Sequence, residues 1–141
     1  IIFAIDTSGS MRVKKLDQAK AALDFCIDKL NPEDRFEIIR YSTETETLFN
    51  KLRTAKKQQT KEAKEFVKGL KAGGGTAIEE ALVLAIETVS KQENKESIRP
   101  TQIIFITDGR PTIGETRTDK IIDRLVKKKQ EIKELPLEKK L

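Results

Sequence analysis

Two aspartates and three hydroxyls stand where a folded chain would gather them around one hard cation. Asp6-Thr7-Ser8-Gly9-Ser10 follows directly on the apolar run 1–5, and Thr107-Asp108-Gly109 follows on the apolar run 103–106. Gly73-Gly74-Gly75-Thr76 lies between them, immediately before a helical pattern. Asp6 and Asp108 bring negative charge, whereas Ser8, Ser10 and Thr76 bring neutral oxygens. Mg²⁺ takes oxygen ligands in near-octahedral geometry and usually keeps waters, so this set suits it, with Mn²⁺ or Ca²⁺ as alternatives. With so few charged ligands the ion would stay electron-poor and open to a carboxylate. Each piece alone has a plainer reading. Asp or Ser after a strand caps the next helix, Thr76 with Glu79 makes a capping box, and glycines stop a helix. Their joint occurrence, after two buried strands and before one helix, favours a metal site at Asp6, Ser8, Ser10, Thr76 and Asp108.

Composition removes competing chemistries. The chain has no His and a single Cys, Cys26. Ser-His-Asp and Cys-His catalysis, zincin motifs and the 2-His-1-carboxylate iron site each lack a required part. Cys26 sits in an apolar helical pattern and reads as core filler. A haloacid-type aspartyl phosphatase needs a second Asp two residues after the first, where this chain has Ser8. Gly-x-Ser-x-Gly and the P-loop pattern are absent as well. The expectation is a binding protein rather than an enzyme. Of the net charge of +5, the segment 127–141 supplies +3, from six Lys against three Glu. A lysine-rich end of this kind is a solvated helix face, and aromatic residues are only 5% of the chain, so nucleic acid is not expected as a partner. No apolar stretch approaches the roughly 20 residues of a membrane span. Ile1 already opens a hydrophobic run, so a signal peptide is expected to be absent or cut away.

The elements that must position these loops follow from periodicity. Ile1 to Ile5 is continuously apolar rather than alternating, which suits a strand buried on both faces of a parallel sheet, and Ile103 to Ile106 reads as another fully buried strand. Leu16, Ala19, Leu23, Cys26 or Ile27, and Leu30 recur at steps of three and four, predicting a helix over 14–30 that Asn31-Pro32 ends. Residues 36–41 predict a strand and 45–49 a weak edge strand beside it. A helix over 61–70 carries Ala63, Phe66, Val67 and Leu70, and Gly73 to Gly75 are expected to break it. A further helix over 77–91 uses Ile78, Leu82, Ala85, Ile86 and Val89. The last helix starts near Thr118 or Asp119, carries Ile121, Ile122, Leu125 and Val126, and runs toward Leu135, where Pro136 would halt it. Strands alternating with helices in 141 residues predict one α/β domain with a mostly parallel sheet covered on both faces. In such sheets ligands bind beyond the carboxyl ends of the strands, where the Asp6 and Asp108 loops would share a crevice.

At this point the residues are similar to a known family. Asp6-x-Ser8-x-Ser10, Thr76 and Asp108 resemble the metal-ion-dependent adhesion site of von Willebrand factor type A domains. Beyond the site, Ile5 to Met11, Asn31 to Phe36 and Thr107 to Thr116 resemble the inter-alpha-trypsin inhibitor heavy-chain branch and its bacterial relatives. The resemblance covers about Ile1 to Val126. It implies a Rossmann-like, doubly wound fold, a Mg²⁺ or Mn²⁺ ion, an extracellular or cell-envelope setting, and binding of a protein partner through an Asp or Glu carboxylate rather than catalysis. It also implies a further buried strand and helix after Val126. Residues 127–141 contain no such strand, so the domain 1–126 is expected to be incomplete at both ends and to lack its last strand or strands, with 127–141 a lysine- and glutamate-rich helix or tail. Two other readings stand beside adhesion: a structural or signalling adaptor with a closed structural ion, and a Mg²⁺-dependent phosphotransferase. Arg110, beside Asp108, reads first as a solvated loop residue, with screening of the ion or a contact to an acidic ligand as the alternative.

Overall fold

A computed structural model describes residues 1–91 and 99–134, with side chains described through Glu131. The first strand, β1 (Ile2–Asp6), is buried along its whole length. It pairs in parallel with β2 (Arg35–Tyr41) on one side and with β5 (Ile103–Ile106) on the other. Two short antiparallel strands, β3 (Thr45–Thr47) and β4 (Arg53–Thr54), pair with β2 and complete a five-stranded sheet of order β3-β2-β1-β5 with β4 off the main path. The four helices are α1 (Lys14–Asp28), α2 (Lys57–Lys68), α3 (Ile78–Ser90) and α4 (Thr118–Glu134).

Alternation along β1 and β2 divides the core into two layers, because successive strand side chains point to opposite faces. Phe3 and Ile5, with Phe36 and Ile38, join Leu16, Leu23 and Ile27 of α1 and Ala63 and Val67 of α2. Ile2 and Ile39 meet Ala85 of α3, while Ala4 and Tyr41 meet Ala81. Burying each large side chain in these layers contributes roughly 1.5–3 kcal/mol. The continuous apolar run of β1 is therefore explained: both of its faces are covered.

Several expectations need correction. Strand β5 is not fully buried: Ile103 is 36% exposed and Ile104 to Ile106 are half-buried. Among the described residues β5 pairs with β1 alone. Helix α2 starts at Lys57 rather than near 61, because its first turn is polar and carries no apolar period. It ends at Lys68 with Gly69 as its cap, before the triple glycine. Helix α1 ends at Asp28, slightly ahead of Leu30. Of the apolar residues expected on α4, only Ile121 is buried, while Ile122 and Val126 are exposed. Residues 127–134 continue α4. Pro136 and the polar stretch at 92–98 lie outside the described residues.

Candidate metal centre

The parallel register of β1 builds the site. Asp6 is the last residue of β1 and lies opposite Tyr41, and Ile5 lies opposite Ile106, so Thr107 and Asp108 emerge beside Asp6. Both carboxylate oxygens of Asp6 are engaged locally. Oδ1 accepts the Ser8 N–H at 2.8 Å, and Oδ2 accepts the Thr107 hydroxyl at 2.8 Å. The turn made by the first bond carries the chain into a short 3₁₀ segment at 9–11, which aims Ser10 back across the strand ends. Ser10 Oγ donates to Asp108 Oδ1 at 3.0 Å. Since its one proton goes there, the 3.0 Å contact between Ser8 and Ser10 has Ser8 as donor. Asp6, Ser8, Ser10 and Asp108 thus form one hydrogen-bonded chain.

Thr76 arrives on a third loop. Gly9 donates to the Gly74 carbonyl at 2.9 Å and Gly73 donates to the Thr7 carbonyl at 2.8 Å, so the glycine loop is laced to the first one. Gly74 needs its lack of a side chain, with φ +79° and a would-be Cβ 2.7 Å from Thr43 Oγ1. Gly75 is needed for close approach: a Cβ there would lie 2.8 Å from Ile113 Cγ1. The Thr76 hydroxyl takes no part in the hydrogen bonds that join the other four residues. Nor does Thr76 make a capping box with Glu79. Residue Ala77 is the N-cap of α3 and has no side-chain cap bond, while Glu79 accepts from the Glu115 N–H and from Arg124. The plainer helix-cap reading of Thr76 is therefore not what the chain does.

The floor of the cluster is closed and its rim is open. Asp6, Ser8 and Thr76 are buried, Ser10 is exposed, and the Asp108 side chain is 18% exposed. Arg110 is exposed too, as expected of a loop arginine. Asp108 is paired with Lys15, Nζ to Oδ2 at 2.5 Å. That hydrogen bond, aided by the one from Ser10, holds the Asp108 carboxyl below its ordinary value. Asp6 has no such cationic partner among the described residues, although its carboxylate is fully buried. An unpaired buried carboxylate is costly, and a cation relieves that cost. A second polar group points the same way. The Tyr41 hydroxyl is buried with no hydrogen-bond partner among the described residues, next to Thr107 and within the field of Asp6 and Asp108. Burial first, and those two charges after it, push its phenol up. No cluster of three or more His, Cys, Asp or Glu suited to an ion occurs among the described residues. Two carboxylates with neutral hydroxyls, one carboxylate buried without a counter-charge, fit a hard divalent cation.

Residue patterns alone did not point to Thr107, Lys15 or Tyr41 as parts of the site, nor to Thr112, whose Oγ1 accepts the Thr76 N–H. Only the register of β1 against β5 and β2 puts Thr107 and Tyr41 beside Asp6.

Comparison with known proteins agrees with this architecture. Over 120 residues the chain is 41% identical to inter-alpha-trypsin inhibitor heavy chain H4 of Bos taurus, covering 82% of this chain and 13% of that protein. Over 124 residues it is 37% identical to the heavy chain H2 of Homo sapiens, covering 86% of this chain and 13% of that one. The chain thus spans about an eighth of the length of these curated relatives. Among solved structures, a von Willebrand factor type A protein from Catenulispora acidiphila superposes with a TM-score of 0.71 at 27% identity, covering 90% of this chain and 29% of that chain. The family model for the von Willebrand factor type A domain matches residues 1–110, and the chain belongs to that family.

Proposed function

We propose that this domain is a metal-dependent protein-binding module in which Asp6, Ser8, Ser10, Thr76 and Asp108 hold one divalent cation, Mg²⁺ first and Mn²⁺ or Ca²⁺ as alternatives. The observation that carries the reading is the hydrogen-bonded chain from Asp6 through Ser8 and Ser10 to Asp108, closed over a buried carboxylate that has no counter-charge among the described residues. Bound there, the ion supplies an electron-poor position open to an Asp or Glu carboxylate of a partner protein. Ser8 and Ser10 contribute oxygen without charge, which keeps the ion's own charge poorly neutralised. The exposed rim at Ser10 and Asp108 leaves an approach from solvent. The domain acts by binding and adhesion rather than by catalysis, in an extracellular or cell-envelope setting, as its family membership favours.

Thermal melting with Mg²⁺, with Mn²⁺ and with EDTA tests the metal. The wild type should melt higher with the ion, and Asp6→Ala should abolish the rise; identical melting in all three conditions would exclude the site. An acidic peptide titrated with and without Mg²⁺ then tests the partner. Peptide binding only in the presence of metal supports adhesion, whereas metal binding indifferent to peptide indicates a closed ion that merely joins the loops.

A further inference from the structure

Helix α1 opens with an oddly placed cation. Lys15 is its second residue, where the positive end of the helix dipole disfavours a positive side chain. Its helix neighbours three and four residues on are Gln18 and Ala19, so no acid on its own helix face explains it. Its one ion pair among the described residues is with Asp108, and both oxygens of that carboxylate are then taken, Oδ1 by Ser10 and Oδ2 by Lys15. The Lys15 side chain is 57% exposed on a flexible stem, so it can swing clear into solvent.

We propose that Lys15 is a tethered competitor for the metal: its ammonium neutralises Asp108 while no ion is bound and must yield Asp108 when one enters. The two carboxylates present two negative charges, and Lys15 offsets one of them while it stays paired. The lysine thereby sets the concentration of divalent cation at which the site fills, and it keeps Asp108 in place meanwhile. A lysine suits this role better than an arginine, whose planar fork grips a carboxylate at two points and yields it less readily.

This proposal rests on the metal-binding reading, and the test separates the two. Mg²⁺ and Mn²⁺ alone are titrated calorimetrically into the wild type, Lys15→Gln, Lys15→Arg and Asp6→Ala. For one partly screened charge near a divalent ion, Lys15→Gln should tighten binding about three- to tenfold. It should also melt slightly lower than the wild type without metal and show a larger metal-induced rise. Lys15→Arg should bind no more tightly than the wild type. If Lys15→Gln binds as the wild type does or more weakly, Lys15 does not compete and the proposal is overturned. If the wild type binds no better than Asp6→Ala, the metal site itself fails and the role of Lys15 falls with it.

Discussion

Thr76 and Thr112 hold each other at two points: the Thr76 N–H donates to Thr112 Oγ1 at 2.8 Å, and the Thr112 N–H donates back to the Thr76 carbonyl at 2.9 Å. This reciprocal pair joins the glycine loop to the loop that follows β5, and so ties Thr76 to the segment carrying Asp108.

Thr112→Val keeps the shape of the side chain but leaves the Thr76 N–H, in a residue only 4% exposed, without its acceptor. A loss of about 1–2 kcal/mol is expected in denaturant unfolding, with recovery in Thr112→Ser. Equal stability of the Val and Thr forms would show that this bond does not hold the loops.

Val13 stands at φ 68°, ψ −120°, immediately before α1, and is 84% exposed. A β-branched residue rarely adopts this region, and holding it there costs on the order of 1–3 kcal/mol. Nothing is gained in packing to offset that. Val13→Gly should therefore raise stability by about 1 kcal/mol or more, seen as a melting temperature higher by a few degrees. A lower melting temperature would mean that the valine makes a compensating contact.

Glu37 gives a pH signature. Its carboxylate is fully buried on β2 and accepts backbone N–H groups from Ile38, Phe49 and Lys51, so it anchors the turn after β3. Burial outweighs those bonds and holds the carboxyl above its ordinary 4.5. The native chain therefore keeps this proton at pH values where the unfolded chain has lost it. The contribution is fullest below about 4.5, declines as pH rises through the raised native value, and is level beyond it. In unfolding free energies of the wild type minus Glu37→Gln, the wild type should lose ground over that window. A difference moving the other way would mean that the N–H cradle outweighs burial. The Gln form should be weaker overall by about 1–3 kcal/mol, since its amide faces a backbone donor.

The central strand and its loop were legible because β1 is covered on both faces and therefore had to be apolar without alternation. Asp6 at the end of that run was legible for the same reason. The partial exposure of β5 was not, since the apolar run Ile103 to Ile106 records a capacity for burial and not how much of it is used. The start of α2 was hidden by a polar first turn, Lys57 to Thr60. Thr76 and Glu79 have the spacing of a capping box, yet Arg124 and the Glu115 N–H claim the glutamate from another helix and its loop. Lys15 on Asp108 and Thr107 on Asp6 follow from register and helix placement, which no local spacing encodes.

The bond from Thr107 to Asp6 joins residues 101 positions apart, and that from Ser10 to Asp108 joins residues 98 apart. Contacts of such long sequence separation form only after the chain has closed a large loop, and they make for slow folding. An ion held across them, as proposed above, would find its full set of ligands only once β1 and β5 lie side by side. Its stabilisation then falls on the escape from the native state rather than on the approach to it, wherever the folding nucleus forms without β5. The centre would serve as a kinetic latch, lengthening the lifetime of the folded domain while leaving its rate of formation almost unchanged.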